Sequence, residues 1–148
     1  MTKKTIQLPD YFPFFIDYQV VYSDLNVANH LAADRIQAIA IEAQFCFMKA
    51  LGLDRSLIPK DDGMITAYAE VAYLCESGHG DSLRVDVTAK VTGNKSVDFM
   101  YRFINTTRQQ EAARVINTNL FYHYQEQRVI SVPDYFHRAL ADFSANSL

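Results

Sequence analysis

The sequence predicts an α+β fold built on an antiparallel sheet and one long helix. One helical stretch stands between a single strand-like run and four later ones, short polar turns join those later runs, and one of them alternates strictly between apolar and polar residues. Strands gathered after one helix leave no helical crossovers between them, so they pair antiparallel rather than as βαβ units.

The first run, residues 14–22, reads Phe-Phe-Ile-Asp-Tyr-Gln-Val-Val-Tyr and is rich in the aromatic and β-branched side chains that suit a strand. A polar cluster at residues 24–30 ends it. From residue 32 to 51 the pattern changes: Ile36, Ile39, Ala40, Ala43, Phe47, Ala50 and Leu51 share one helical face. Ile41, Phe45 and Met48 widen the apolar arc around most of the helix, which predicts that it lies inside the fold. Gly52 stops it, and residues 54–63 form a polar loop with Pro59 and an Asp-Asp-Gly turn.

Residues 64–75 give the next strand, and Gly78-His79-Gly80-Asp81 turns the chain. Leu83, Val85, Val87, Ala89 and Val91 then alternate with Arg84, Asp86, Thr88, Lys90 and Thr92, the pattern of a strand with one wet face. After Gly93-Asn94 come Val97, Phe99, Tyr101 and Phe103, then a polar turn over residues 105–110 and a last strand over 112–124. A short amphipathic tail at residues 133–143 completes one domain spanning 1–148, with no repeat or linker to divide it.

Apolar residues make up 49% and charged residues 21%, which suits an ordinary globular protein and argues against disorder. A net charge of −3 gives no reason to expect nucleic acid or an anionic membrane as partner. The start is charged like a signal peptide, but Pro9, Asp10 and Pro13 interrupt the apolar region that one needs. No stretch is long and charge-free enough to span a bilayer, so no membrane partner is expected. Cys46 and Cys75 lie in apolar patterns and read as small buried filler, too few for a disulfide framework or a metal site. Together these features predict a reduced, cytoplasmic setting.

Chemistry is expected at Asp24-Leu25-Asn26-Val27-Ala28-Asn29-His30-Leu31, because the backbone N–H groups of a helix start lack intrahelical partners and can polarise a carbonyl or hold an anion. His30 reads equally as a polar group for a carbonyl or water and as a residue that shapes the turn. Asp24 reads first as a cap, and Asn26 as part Asx turn and part ligand contact. Asp34, in the first helical turn, reads as a carboxylate favoured by the helix dipole before it reads as a base. Glu42 sits within an apolar helix, where burial demands a partner or a raised pKa, so it is a structural anchor or a base. Arg84, Lys90, Lys95, Arg102 and Arg108 are either a solvated face or contacts for phosphate groups.

The ordered motifs resemble the hot-dog-fold thioesterases of the 4-hydroxybenzoyl-CoA thioesterase type. In that family a strand ends in aromatic-x-Asp-x-Asp-x-x-Gly-His-Val/Leu-Asn-Asn, and here the matching residues are Tyr22-Ser23-Asp24-Leu25-Asn26-Val27-Ala28-Asn29-His30-Leu31-Ala32-Ala33. Glu42-Ala43-Gln44 is similar to the family's Glu-x-Ala-Arg position, Gly80-Asp81-Ser82-Leu83 to its Gly-Asp-x-Leu, and Pro133 to its late proline. The resemblance implies a hot-dog fold, an antiparallel sheet wrapped around one long central helix. It implies hydrolysis of an acyl-CoA thioester by a homodimer or a tetramer of dimers, with the site between subunits. CoA enters as part of the substrate, and no cofactor or metal is expected.

In that scheme the amide near Ala32, Ala33 and Asp34 polarises the thioester carbonyl while Asn26 and His30 hold substrate or water. Thr66, Tyr68 and Glu70 alternate along the strand from which the family contacts a ligand held by the neighbouring subunit, and read equally as solvated or dimer-facing residues. The chain departs from the motif at its second Asp, where Asn26 has a neutral amide that cannot take a proton. The missing carboxylate then falls to Asp34, Glu42 or, across the interface, Glu70. Two other readings stay open: an enoyl-CoA hydratase-like enzyme, whose Asp-x-Asn-x-x-His spacing is one residue shorter than here, and a non-catalytic acyl-CoA-binding protein.

Overall fold

The computed structural model describes residues 5–55 and 58–146. The charged residues 1–4 and two positions of the polar loop, 56 and 57, lie outside that range. In chain order the elements are β1 (Phe14–Gln19), a 3-10 turn (Tyr22–Asp24), α1 (Ala33–Ala50), β2 (Asp62–Tyr73), β3 (Ser82–Val91), β4 (Ser96–Asn105), β5 (Gln110–His123), β6 (Arg128–Val129) and α2 (Asp134–Asn146). The strands form one antiparallel sheet in the order β1-β3-β4-β5-β2, and the two-residue β6, which no sequence pattern announces, pairs with the end of β5.

Alternation builds the inner sheet face that packs on α1. Leu83, Val85 and Val87 of β3, Val97, Phe99, Tyr101 and Phe103 of β4, and Val115 and Phe121 of β5 are all buried in one core with Ile36, Ile39, Ala40, Ala43 and Phe47 of α1. Each such large side chain taken from water contributes roughly 1.5–3 kcal/mol, so these rows fix the register of the sheet against the helix. α1 ends where Gly52 takes φ 79°, a conformation that glycine adopts without a Cβ penalty. α2 closes one end of the core: Phe136 sets its ring edge-on to Phe99 and Phe121, and Phe143 packs on Phe47.

Three expectations need correction. α1 is not enclosed on all sides: the sheet covers one flank, and Ile41 and Phe45 remain 41% and 54% exposed in the single chain. The polar face of β3 is not simply wet, because its charges are paired and the outer face of the sheet is partly covered by β1 and the segment before it. The Ile6 carbonyl accepts a hydrogen bond from Arg114 of β5, the Phe12 ring lies under Arg102 of β4, and the ring of Phe15, in β1, lies under Arg84 of β3. Beneath this cover Asp86 is buried and takes ion pairs from both Arg84 and Arg102. The cysteines are not buried filler either, since Cys75 is exposed and Cys46 only partly covered; both are free thiols. Among the described residues no helix is long and apolar enough to cross a membrane.

Candidate active site at the start of the central helix

The loop between β1 and α1 is tied down at both ends. Asp24 is fully buried, and its carboxylate accepts hydrogen bonds from the Tyr18 hydroxyl at 2.8 Å, the Val21 N–H at 3.0 Å and the Arg35 guanidinium at 2.9 Å. Burial alone would raise this carboxyl's pKa, but the Val21, Tyr18 and Arg35 donors outweigh it and hold the group below the usual carboxylate range. Asp24 therefore caps the 3-10 turn and clamps α1 through Arg35, while its carbonyl accepts the Ala32 N–H at 2.9 Å.

Asn26 shapes the rest of the loop. Its Oδ1 accepts the N–H groups of Ala28 at 3.0 Å and His30 at 3.2 Å, and its own N–H donates to the His30 carbonyl at 2.9 Å. The tightness of this turn requires Asn29 at φ 63°, a left-handed conformation that asparagine tolerates better than most residues. A bridge between Leu25 and Leu31 closes the loop.

These constraints deliver an open helix end. The N-cap of α1 is Ala32, which has no side-chain acceptor, and no side chain caps the first turn. Arg35 N–H turns back to the Ala32 carbonyl at 3.0 Å. The N–H groups of Ala33 and Asp34, both exposed residues, are left to point outward at the positive end of the helix dipole. Tyr73, at the end of β2, donates its hydroxyl to the Ala33 carbonyl at 3.0 Å and so brings an aromatic wall beside this end.

His30 has a partner that its motif does not announce. Its Nε2 lies 3.1 Å from a carboxylate oxygen of Glu76, in the segment between β2 and β3. That segment is anchored to the loop by the Leu31 N–H, which donates to the Ser77 carbonyl at 2.8 Å. Behind it, Asp81 accepts from the Gly78 N–H, Asn105 and Arg108. Burial would raise the Asp81 pKa, yet the Gly78 and Asn105 hydrogen bonds and the Arg108 charge bring it down. Arg108 is therefore committed to Asp81, as Arg84 and Arg102 are to Asp86.

The structure thus assembles Asn26, His30, Ala32, Ala33 and Asp34 at one place and puts the other candidates elsewhere. Glu42 is exposed, two turns further along α1, where it accepts a weak hydrogen bond from the Cys46 thiol at 3.5 Å; the expected burial, and the demand for a partner that it implied, do not arise. Thr66, Tyr68 and Glu70 do not share a face, because β2 carries an extra residue between Thr66 and Tyr68. Thr66 turns to the helix side and bonds the buried Asn119 at 3.1 Å, whereas Tyr68 and Glu70 bond each other on the opposite face at 2.9 Å. Sequence reasoning missed Glu76 and Tyr73, which lie in a turn segment and a strand with nothing periodic to mark them. Among the described residues no group of three or more His, Cys, Asp or Glu could hold a metal ion.

Solved structures of similar shape agree with this architecture. The protein Slr0204 from Synechocystis, a 1,4-dihydroxy-2-naphthoyl-CoA thioesterase, superposes with a TM-score of 0.80 at 18% identity over 88% of this chain and 97% of its own. The hypothetical protein SAV2348 from Staphylococcus aureus, solved in complex with CoA, gives 0.81 at 15% identity over 96% and 89%. The gentisyl-coenzyme A thioesterase BH1999 gives 0.75 at 18% identity over 84% and 99%. No curated protein matches by sequence. These likenesses establish the hot-dog fold, with its antiparallel sheet around one long helix. Residues 20–140 match the family model described as the thioesterase-like superfamily, a span that holds the whole loop, α1 and all the longer strands after it, and the chain belongs to that superfamily.

Proposed function

We propose that this protein hydrolyses an acyl-CoA thioester to the free acid and CoA. The observation that carries this reading is the uncapped start of α1, where the Ala33 and Asp34 N–H groups stand beside the Asn26–His30 loop. A thioester carbonyl oxygen placed on those donors gains negative charge as water attacks, and preorganised N–H groups favour that charge more than the neutral carbonyl. The C–O bond to water forms, the C–S bond breaks, and CoA leaves as its thiolate and takes up a proton. CoA in one structural neighbour and CoA-ester hydrolysis in two others support the substrate class.

Asn26 accepts two backbone N–H groups and builds the loop, so the proton from water goes elsewhere. His30, oriented by Glu76, takes it, and Asp34 adds a carboxylate at the same helix end. A homodimer fits the outer surface of the protomer. β2 is an edge strand with a free side, and Tyr68 and Tyr73 are each 56% exposed along it; pairing two copies of β2 antiparallel covers this edge and continues the sheet, which leaves the partner's Glu70 on the face away from α1.

The test is a panel of acyl-CoA esters with thiol release followed by a chromogenic disulfide. Turnover of at least one ester, lost in His30→Ala, is expected; a purified, folded protein that cleaves none overturns the reading. Tight acyl-CoA binding without turnover, together with activity created by Asn26→Asp, would establish a binding protein in its place, and hydration of an enoyl-CoA would establish a hydratase.

A further inference from the structure

A second concave site lies at the opposite end of α1 from the open N-terminus. It is a cavity of about 770 Å³ with an apolar floor made by Phe45, Met48, Leu53, Ile58, Met64 and Phe121. Lys49, Arg55 and Lys60 bring three cations to its lining, and Asp54 and Asp62 two carboxylates. Asp62 already accepts a hydrogen bond from Tyr135 at 3.4 Å. Gln44 also lines the cavity, but its side-chain oxygen accepts the buried Tyr101 hydroxyl at 3.4 Å, which leaves that oxygen occupied.

The wall on the β2 side is deliberate in the sequence. A Cβ on Gly63 would stand 2.3 Å from the Tyr124 ring, so glycine there lets Tyr124 lie flat across the strand and border the cavity. The volume is within the range of small-molecule sites. Two methionines among the floor residues give it the adaptable, unbranched lining that accepts flexible chains. An occupant needs a long apolar body and an anionic or strongly polar head.

We infer that this cavity binds a linear fatty-acyl chain, with the head directed to the lysine and arginine side chains. This binding stands apart from the hydrolase reading above: the cavity lies at the other end of α1 from the Ala33 and Asp34 N–H groups, so the chain held there is a separate ligand and not the acyl part of the substrate. The cavity exceeds what one aromatic ring fills, and its floor presents no free polar group to orient a ring hydroxyl.

Calorimetric titration of the purified protein with hexanoate, octanoate, decanoate and dodecanoate tests the inference directly. One dodecanoate per chain is expected, with affinity rising up to about tenfold for each pair of added methylenes, the ratio for moving them out of water. Met64→Trp, which fills the cavity from β2, weakens dodecanoate at least about tenfold, and Lys49→Glu weakens dodecanoate while sparing 1-dodecanol. Absence of binding, affinity independent of chain length, tighter binding of 2-naphthoate than of dodecanoate, or undiminished binding by Met64→Trp each overturns it. If Met64→Trp does not fold, a diazirine-bearing dodecanoate decides on the native protein: labels within residues 44–64 or 121–124 support the site, and labels elsewhere refute it. A protein that binds dodecanoate but cleaves no thioester keeps the cavity assignment and loses the hydrolase one.

Discussion

Replacing Asp24 by Ala separates a structural carboxylate from a catalytic one. The carboxylate is fully buried and holds three donors, one of them the Arg35 guanidinium. Hydrogen bonds to a charged group contribute about 1.5–3 kcal/mol each, and breaking a buried pair costs about 3–5 kcal/mol when the partner is stranded. Here the partners are not fully stranded: the Arg35 side chain is 39% exposed, and Tyr18 is half-buried, so water can reach both. The expected loss is therefore about 3 kcal/mol, at the lower end of that range. With a urea dependence of about 1–3 kcal/mol per molar, the unfolding midpoint drops by about 1–3 M. Asp24→Asn keeps the shape but turns one acceptor into a donor facing donors, which costs about 1–2 kcal/mol.

The pH dependence follows from the direction of the shift. A carboxyl with a depressed folded-state pKa supplies stability that is fully present above its unfolded value, ~3.9, and is lost as the pH falls through the lower folded value. The gap between wild type and Asp24→Asn should hold through neutral pH and close only in acid below the ordinary carboxylate range. Equilibrium unfolding by circular dichroism, read beside thioester turnover, gives both quantities. An unchanged midpoint in Asp24→Ala would refute the clamp, and loss of turnover at unchanged stability would make Asp24 part of the reaction.

Gln37 and Asn117 exchange two side-chain hydrogen bonds, at 2.8 and 3.0 Å, between α1 and β5. Gln37→Leu or Asn117→Leu alone should destabilise by about 1–3 kcal/mol by orphaning the other amide, and the double variant by less than the sum, as a double-mutant cycle in urea will measure. Burial, with Asp62 nearby, pushes the Tyr135 phenol up to about 12. Because the raised pKa favours the neutral folded form, its stability contribution is complete below an unfolded pKa of ~10 and fades as the pH rises towards 12; ultraviolet titration should lose one late phenol in Tyr135→Phe, while the buried Tyr101, pushed higher still, stays late in both. Glu42→Gln should leave turnover unchanged and stability within about 0.5 kcal/mol, since the side chain is exposed and held by no ion pair in the described residues.

The strands and α1 were legible in the sequence because burial is periodic, and β3 to β5 carry that period cleanly. What the sequence hid were interactions between segments distant along the chain. Asp86 looks like any polar residue on an alternating strand until Arg102 of the neighbouring strand joins Arg84 on it, and Glu76 has no mark in a turn until the Leu31–Ser77 hydrogen bond sets it beside His30. The β2 bulge is the sharpest instance. Thr66, Tyr68 and Glu70 stand two apart and should share a face, yet one extra residue reverses the side on which the later pair lies.

That reversal also bears on the question posed by Asn26. A carboxylate at position 26 would sit where the Asn26 oxygen now accepts the Ala28 and His30 N–H groups, so its geometry can be kept while its basicity is lost. Within the protomer Glu70 faces away from α1 and Glu42 lies two turns down the helix. The basic groups at the open N–H donors are then the His30 imidazole, steadied by the Glu76 carboxylate, and the carboxylate of Asp34 itself. Turnover lowered by both His30→Ala and Glu76→Gln, and not further lowered when the two are combined, is the signature of the pair; turnover that survives both but falls in Asp34→Asn would return the role to Asp34.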